Sequence, residues 1–79
     1  MKVFDLIPTN GRKSFYGKAK VLQYEDGTEI LLSYNTEVMK RNPDGSFVRL
    51  WSDWSATTGT HIRAFCGMDK KEFEKLPMA

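Results

Sequence analysis

The chain has 79 residues, of which 41% are hydrophobic and 13% aromatic; this is the composition of one small folded domain and excludes a disordered segment. Twelve basic and ten acidic side chains leave a net charge of +2, mildly basic and insufficient by itself to imply nucleic acid. The lone cysteine, Cys66, excludes an internal disulfide, and every apolar run is far too short to span a bilayer.

A domain of this size buries only about 60% of the surface its unfolded chain exposes. With neither disulfide nor metal it relies on tight packing or a partner subunit, so a homodimer is one expectation. Residues 1–79 read as a single domain without repeat, linker or low-complexity tract. The segment Met1–Ile7 carries Asp5 inside its apolar run and ends at Pro8, which is unlike a secretory leader; a reducing cytoplasm is the expected setting.

Residues 1–13 form an opening segment whose Val3, Phe4, Leu6 and Ile7 can dock as a short strand or turn before Pro8-Thr9-Asn10-Gly11 breaks the chain. The first predicted hairpin runs Lys18–Tyr24, turns at Asp26-Gly27 and returns over Thr28–Tyr34. The second runs Thr36–Arg41, turns through Asn42-Pro43-Asp44-Gly45 and returns over Ser46–Trp51. There Pro43 presets φ at the first turn position and Gly45 suits a left-handed one. Ser33-Tyr34-Asn35-Thr36 joins the hairpins either as a tight turn or as a bend in one long strand. The expected sheet face carries Val21, Ile30, Leu32, Val38, Phe47 or Val48, and Leu50 or Trp51.

The apolar period then lengthens from two toward 3.6. Ser55 is the predicted N-cap, accepting from the N–H of Thr57 or Thr58. Thr58, Ile62, Phe65 and Cys66 share a stripe, and Gly67 stops the helix. Gly59 weakens its first turns by about 1 kcal/mol relative to Ala and marks either close backbone approach to the sheet or a tolerated residue. A second short helix starts at Asp69, which with Glu72 predicts a capping box; Met68 and Phe73 fit a hydrophobic staple, and Pro77 ends the element. The predicted fold is α+β: a four-stranded antiparallel β-meander of two hairpins packed against one C-terminal helix plus a short second helix.

Catalytic, metal and cofactor chemistry finds no motif. On one helix, His61 and Cys66 are five residues or about 500° apart, so they point roughly 140° away from each other and form no dyad. A structural zinc site wants four Cys or His ligands, and the chain has two. Asp26-Gly27 and Asp44-Gly45 are turn chemistry, and Gly11 and Gly17 are isolated from any phosphate loop. Ser33 or Ser55 would need to converge on His61 and an Asp for nucleophilic work, and no spacing supports it. No catalytic, cofactor-binding or metal-ligating residue is therefore expected. Trp51 reads as core, and Trp54 as either a cap on the core or an exposed anchor.

Two binding surfaces remain. The first is the loop and helix start around Asn35, Trp54, Thr57, Thr58 and His61, suited to a protein partner. The second is the basic N-terminal third, where Lys2, Arg12, Lys13, Lys18 and Lys20 face only Asp5 before residue 21. Here Arg12, Lys13, Lys18 and Lys20 would contact phosphates, with Phe15 or Tyr16 stacking on bases.

Pro8-Thr9-Asn10-Gly11-Arg12-Lys13-Ser14-Phe15, Ser33-Tyr34-Asn35-Thr36, Trp51 with Trp54-Ser55-Ala56-Thr57-Thr58, His61-Ile62 with Phe65, and Lys70–Leu76 together resemble a small uncharacterised domain family met in bacteriophages and Firmicute-type bacteria. The resemblance spans most of the chain, departing from the family's usual pattern at Gly59 and Cys66. It carries no activity. It implies a soluble accessory protein of phage or mobile-element origin, acting inside a bacterial cell; with no catalytic motif found, the expected function is a non-enzymatic binding module of phage or prophage origin that contacts a host or phage protein.

Overall fold

The structure is a computed structural model describing residues 1–8 and 15–78. Its strands are β1 (Lys2–Asp5), β2 (Ala19–Gln23), β3 (Glu29–Ser33), β4 (Thr36–Arg41) and β5 (Phe47–Arg49); its helices are α1 (Ala56–Cys66) and α2 (Lys70–Glu74). The strands form one antiparallel sheet in the order β1-β2-β3-β4-β5. The class is α+β as expected, but the opening segment adds a fifth strand to the four predicted. Phe4 lies opposite Val21 and Asp5 opposite Lys20, so the run before Pro8 completes the sheet by pairing with β2.

Turn chemistry fixes the two hairpins at one end of the sheet. Tyr24 donates its N–H to the Thr28 carbonyl at 2.8 Å, with Gly27 at φ 97°. Asn42 donates likewise to Ser46 at 2.7 Å, with Gly45 at φ 90°. Hydrogen bonds from Thr28 hold the Asp26 carboxyl below the usual carboxylate range, and those from Ser46 do the same for Asp44.

Cross-strand register decides which side chains face the helices. Val21 opposes Leu31, Leu31 opposes Met39, and Met39 opposes Arg49, so these share one face. Ile30 and Leu32 therefore point to the opposite face and stay half-buried, which corrects the expected core set: Leu31 is the β3 core residue. By the same alternation Phe47 faces the helices and Val48 does not. A register shift between Leu31 and Leu32 lets both Val38 and Met39 bury completely on β4, departing from strict alternation. The core is Val21, Leu31, Val38, Met39, Ile62, Phe65 and Phe73, with Trp51 and Trp54 packed against it.

Helix α1 starts at Ser55, whose hydroxyl accepts from the Thr58 N–H, and stops at Gly67, left-handed at φ 79°. Both expected capping-box bonds of Asp69 and Glu72 form at α2. Arg41 fastens the sheet to the end of α1: Nη1 pairs with Glu29 Oε1 at 2.6 Å and Nη2 donates to the Phe65 carbonyl at 3.0 Å. Gly59 is a close-approach glycine, though the neighbour is Trp54 rather than the sheet. A Cβ built on Gly59 would overlap the Trp54 indole, so the missing side chain is what lets that ring lie down on α1.

Candidate functional site

The residues converge at the end of the sheet away from the hairpin turns. Ser33 closes β3 and is buried; its Oγ lies 2.8 Å from His61 Nδ1 and 3.1 Å from Thr58 Oγ1, both hydrogen bonds. His61 is 2% exposed, with its ring edge-on to Phe15 at 4.6 Å between centroids. Thr58 and His61 are three residues apart on α1, so one helical turn presents both to β3. This cluster pins the start of α1 to the sheet by polar contacts as well as apolar ones.

Above the cluster the chain turns twice. Lys18 donates its N–H to the Phe15 carbonyl at 3.0 Å across a turn whose central residues, Tyr16 and Gly17, have φ 54° and 77°. Ser33 pairs with Thr36, so Tyr34 and Asn35 form a two-residue turn, settling the junction between the hairpins. Tyr34 holds φ 56°. The turns are tied together because Tyr34 donates its N–H to the Lys18 carbonyl at 2.7 Å. The Tyr34 ring lies 6.0 Å from His61, and Lys18 Nζ sits 5.9 Å from the Tyr34 ring centre. Both tyrosines remain open to solvent, Tyr16 at 79% and Tyr34 at 50%.

Beside them lies a recess of about 170 Å³ lined by Phe15, Ala56, Thr57, Thr60 and His61. A larger open depression of about 570 Å³, lined by Met1, Lys2, Gln23, Tyr24, Glu25 and Gly27, sits at the opposite end. None of the described residues lining it is a buried polar one, so it lacks the convergence of the smaller recess.

The surface expected around Asn35, Trp54, Thr57, Thr58 and His61 is divided by the fold. Asn35 and Thr57 are exposed. Thr58 and His61 turn inward, because they share the stripe of Ile62 and Phe65 that faces the sheet. Trp54 caps the core, half-buried, with its ring 5.7 Å from Phe73. Trp54 and His61 therefore do not share an exposed patch.

The nucleic-acid set is also dispersed. Arg12 and Lys13 lie outside the described residues. Phe15 is buried and its ring is engaged with His61, so it cannot stack on a base. Tyr16 and Lys18 are exposed at the turn, while Lys20 is half-buried on β2 facing away from Val21. Tyr34 was the residue that turn logic alone overlooked; its signal is a bulky side chain between Ser33 and Asn35, where a two-residue turn favours Gly or Asn.

Chemically, Ser33 and His61 juxtapose a hydroxyl and an imidazole, as a nucleophile and base would be. Both are buried against Thr58, so a substrate carbonyl would have to part β3 from α1 to reach the hydroxyl. Cys66 is removed from them: its Sγ donates to the Ile62 carbonyl at 3.4 Å, and burial pushes its thiol pKa up. Among the described residues no group of three or more His, Cys, Asp or Glu side chains is placed to hold a metal. No helix is long and apolar enough to cross a membrane.

A family of unknown function, DUF8033, matches residues 4–76. The chain belongs to that family. No curated protein and no solved structure matches it. The stretch matched contains every residue of the Ser33–Thr58–His61 cluster and both tyrosine turns.

Proposed function

We propose that this DUF8033 chain is a small non-enzymatic binding module of phage or prophage origin, and that it contacts a host or phage protein inside a bacterial cell through its tyrosine end. The observation that carries this reading is that Tyr16 and Tyr34 occupy left-handed backbone while their rings stay largely exposed. A left-handed non-glycine residue costs about 1–2 kcal/mol, and such strain gathers at ligand clamps and recognition turns. Burial of the rings does not offset it here. Exposed tyrosines on a fixed turn offer large contact area at small entropic cost, which suits a protein partner. The buried Ser33–Thr58–His61 cluster supports the reading by holding the turn in place before binding. The phage setting rests on the resemblance given above.

A protein partner fits better than nucleic acid because Phe15 is buried and unable to stack, leaving Lys18 beside the Tyr34 ring as the basic contact among the described residues. Parallel affinity captures from bacterial lysate with the wild-type chain, Tyr34→Asn and Tyr16→Asn test the proposal. Asparagine tolerates the left-handed turn, so the fold is kept while the ring is lost. The expected result is a protein retained by the wild type and reduced at least about ten-fold by either variant. Binding to single-stranded nucleic acid with a log–log salt slope of about −3 to −4 would favour the basic surface instead.

A further inference from the structure

The two edges of the sheet are finished differently. At β5, Arg49 donates its N–H to the Pro77 carbonyl at 2.8 Å and bridges Met78, so the chain covers that edge itself. At β1 no strand pairs with the outer side among the described residues. Every β1 residue is exposed, Val3 at 52% and Phe4 at 43%, and so are the apolar residues flanking the strand, Met1 at 66% and Ile7 at 69%. An apolar edge left open is a template for another strand.

Register shows which backbone groups wait there. Leu6 donates its N–H to the Ala19 carbonyl at 3.0 Å, and Phe4 opposes Val21. Antiparallel ladders alternate, so Phe4 and Leu6 bond inward to β2 while the N–H and C=O of Val3 and Asp5 point outward.

We propose that this edge pairs with β1 of a second copy of this chain, antiparallel about a two-fold axis centred on Phe4. That axis is normal to the sheet and keeps the helices of both copies on one face. In this register Phe4 meets its own counterpart, Met1 lies opposite Ile7 of the second copy, and Val3 lies opposite Asp5. Val3 and Asp5 then exchange N–H···O bonds in both symmetric positions, satisfying the outward groups. Each strand carries one cation, Lys2, and one anion, Asp5, so no like charges are opposed. A register centred on Val3 is poorer: it sets Phe4 against Lys2 and Met1 against Asp5, and strands Ile7. The two five-stranded sheets become one of ten strands. The contact is short beside a standard interface of about 1,600 Å², so the dimer dissociates on dilution. This surface is separate from the tyrosine end, and the proposal stands or falls independently of that reading.

The test is sedimentation of the full chain over a concentration series beside Val3→Pro. Proline at position 3 removes an N–H that points outward and leaves the β1–β2 ladder intact. The expected result is a concentration-dependent dimer for the wild type and a monomer with unchanged circular dichroism for Val3→Pro. A second variant fixes the register. Phe4→Cys in a Cys66→Ala background forms a disulfide dimer on oxidation, because non-hydrogen-bonded antiparallel pairs hold Cα atoms about 4.5 Å apart. Val3→Cys in the same background crosslinks at least about ten-fold more slowly, being opposite Asp5. A wild-type chain that stays monomeric at every concentration overturns the proposal. So does a dimer that survives Val3→Pro and gives no Phe4→Cys crosslink.

Discussion

The two ends of the sheet solve one problem with different residues. At the hairpin end, the left-handed positions are Gly27 and Gly45, and the turns rest on local bonds from Asp26 and Asp44. At the opposite end, Tyr16 and Tyr34 stand in left-handed backbone beside Gly17, and the turns rest on a buried cluster contributed by β3 and α1. Glycine makes a turn with no steric penalty, so these two positions at the hairpin end carry no such strain. Tyrosine makes the same turn at a steric cost, with its ring left largely exposed. On the function proposed here, the tyrosine end trades stability for a binding surface.

The comparison breaks first at His61. Its ring fills the space under the tyrosine turns and bonds Ser33, so His61→Ala leaves both a cavity and an unpaired hydroxyl. We expect a loss of about 2–4 kcal/mol, read as a lower denaturation midpoint, with the Tyr34 ring losing its fixed position. A loss below about 0.5 kcal/mol would mean the cluster does not hold that end together.

Gly45→Ala is next in size and isolates the backbone term. A Cβ at Gly45 meets nothing within 4 Å, so only its φ of 90° resists a side chain. The expected cost is about 1–2 kcal/mol in chemical denaturation, which calibrates what the tyrosines bear.

The smallest effect concerns Cys66, outside both ends and raised by burial above its ordinary 9.0. A thiol kept neutral by the fold ionises first in the unfolded chain. Its stabilising contribution is therefore complete below the unfolded value and declines as pH rises from there toward the folded value. Unfolding at pH 7 and pH 10 should show a modest alkaline loss that Cys66→Ala removes, and alkylation of the native thiol should run at least about ten-fold slower than in urea.

Much of this was legible in the sequence because the signals are local. Ser55 and Gly67 are single-residue caps, the Asp69–Glu72 box spans four positions, and Asp26-Gly27 and Pro43-Asp44-Gly45 name their own turns. What was not legible depends on partners distant in sequence. β1 is too short to show a period, and only pairing with β2 makes it a strand. Ile30-Leu31-Leu32 is apolar throughout, so its buried face is set by Val21 and Met39 across the ladder. The burial of His61 was the nearest miss: Thr58, His61, Ile62 and Phe65 fall at i, i+3, i+4 and i+7, and that spacing alone places the imidazole on the inward stripe. Of the two readings open for Trp54, cap or anchor, the choice rests on Gly59, whose bare backbone gives the indole a seat against the core.

The trade at the tyrosine end is tested most directly by equilibrium unfolding of Tyr34→Asn against the wild type. Relief of left-handed strain should balance or exceed the loss of the ring's contact with His61, leaving stability equal or raised by up to about 1 kcal/mol. A loss of more than about 1 kcal/mol would contradict the account, because Tyr34 would then be a structural residue rather than a displayed one.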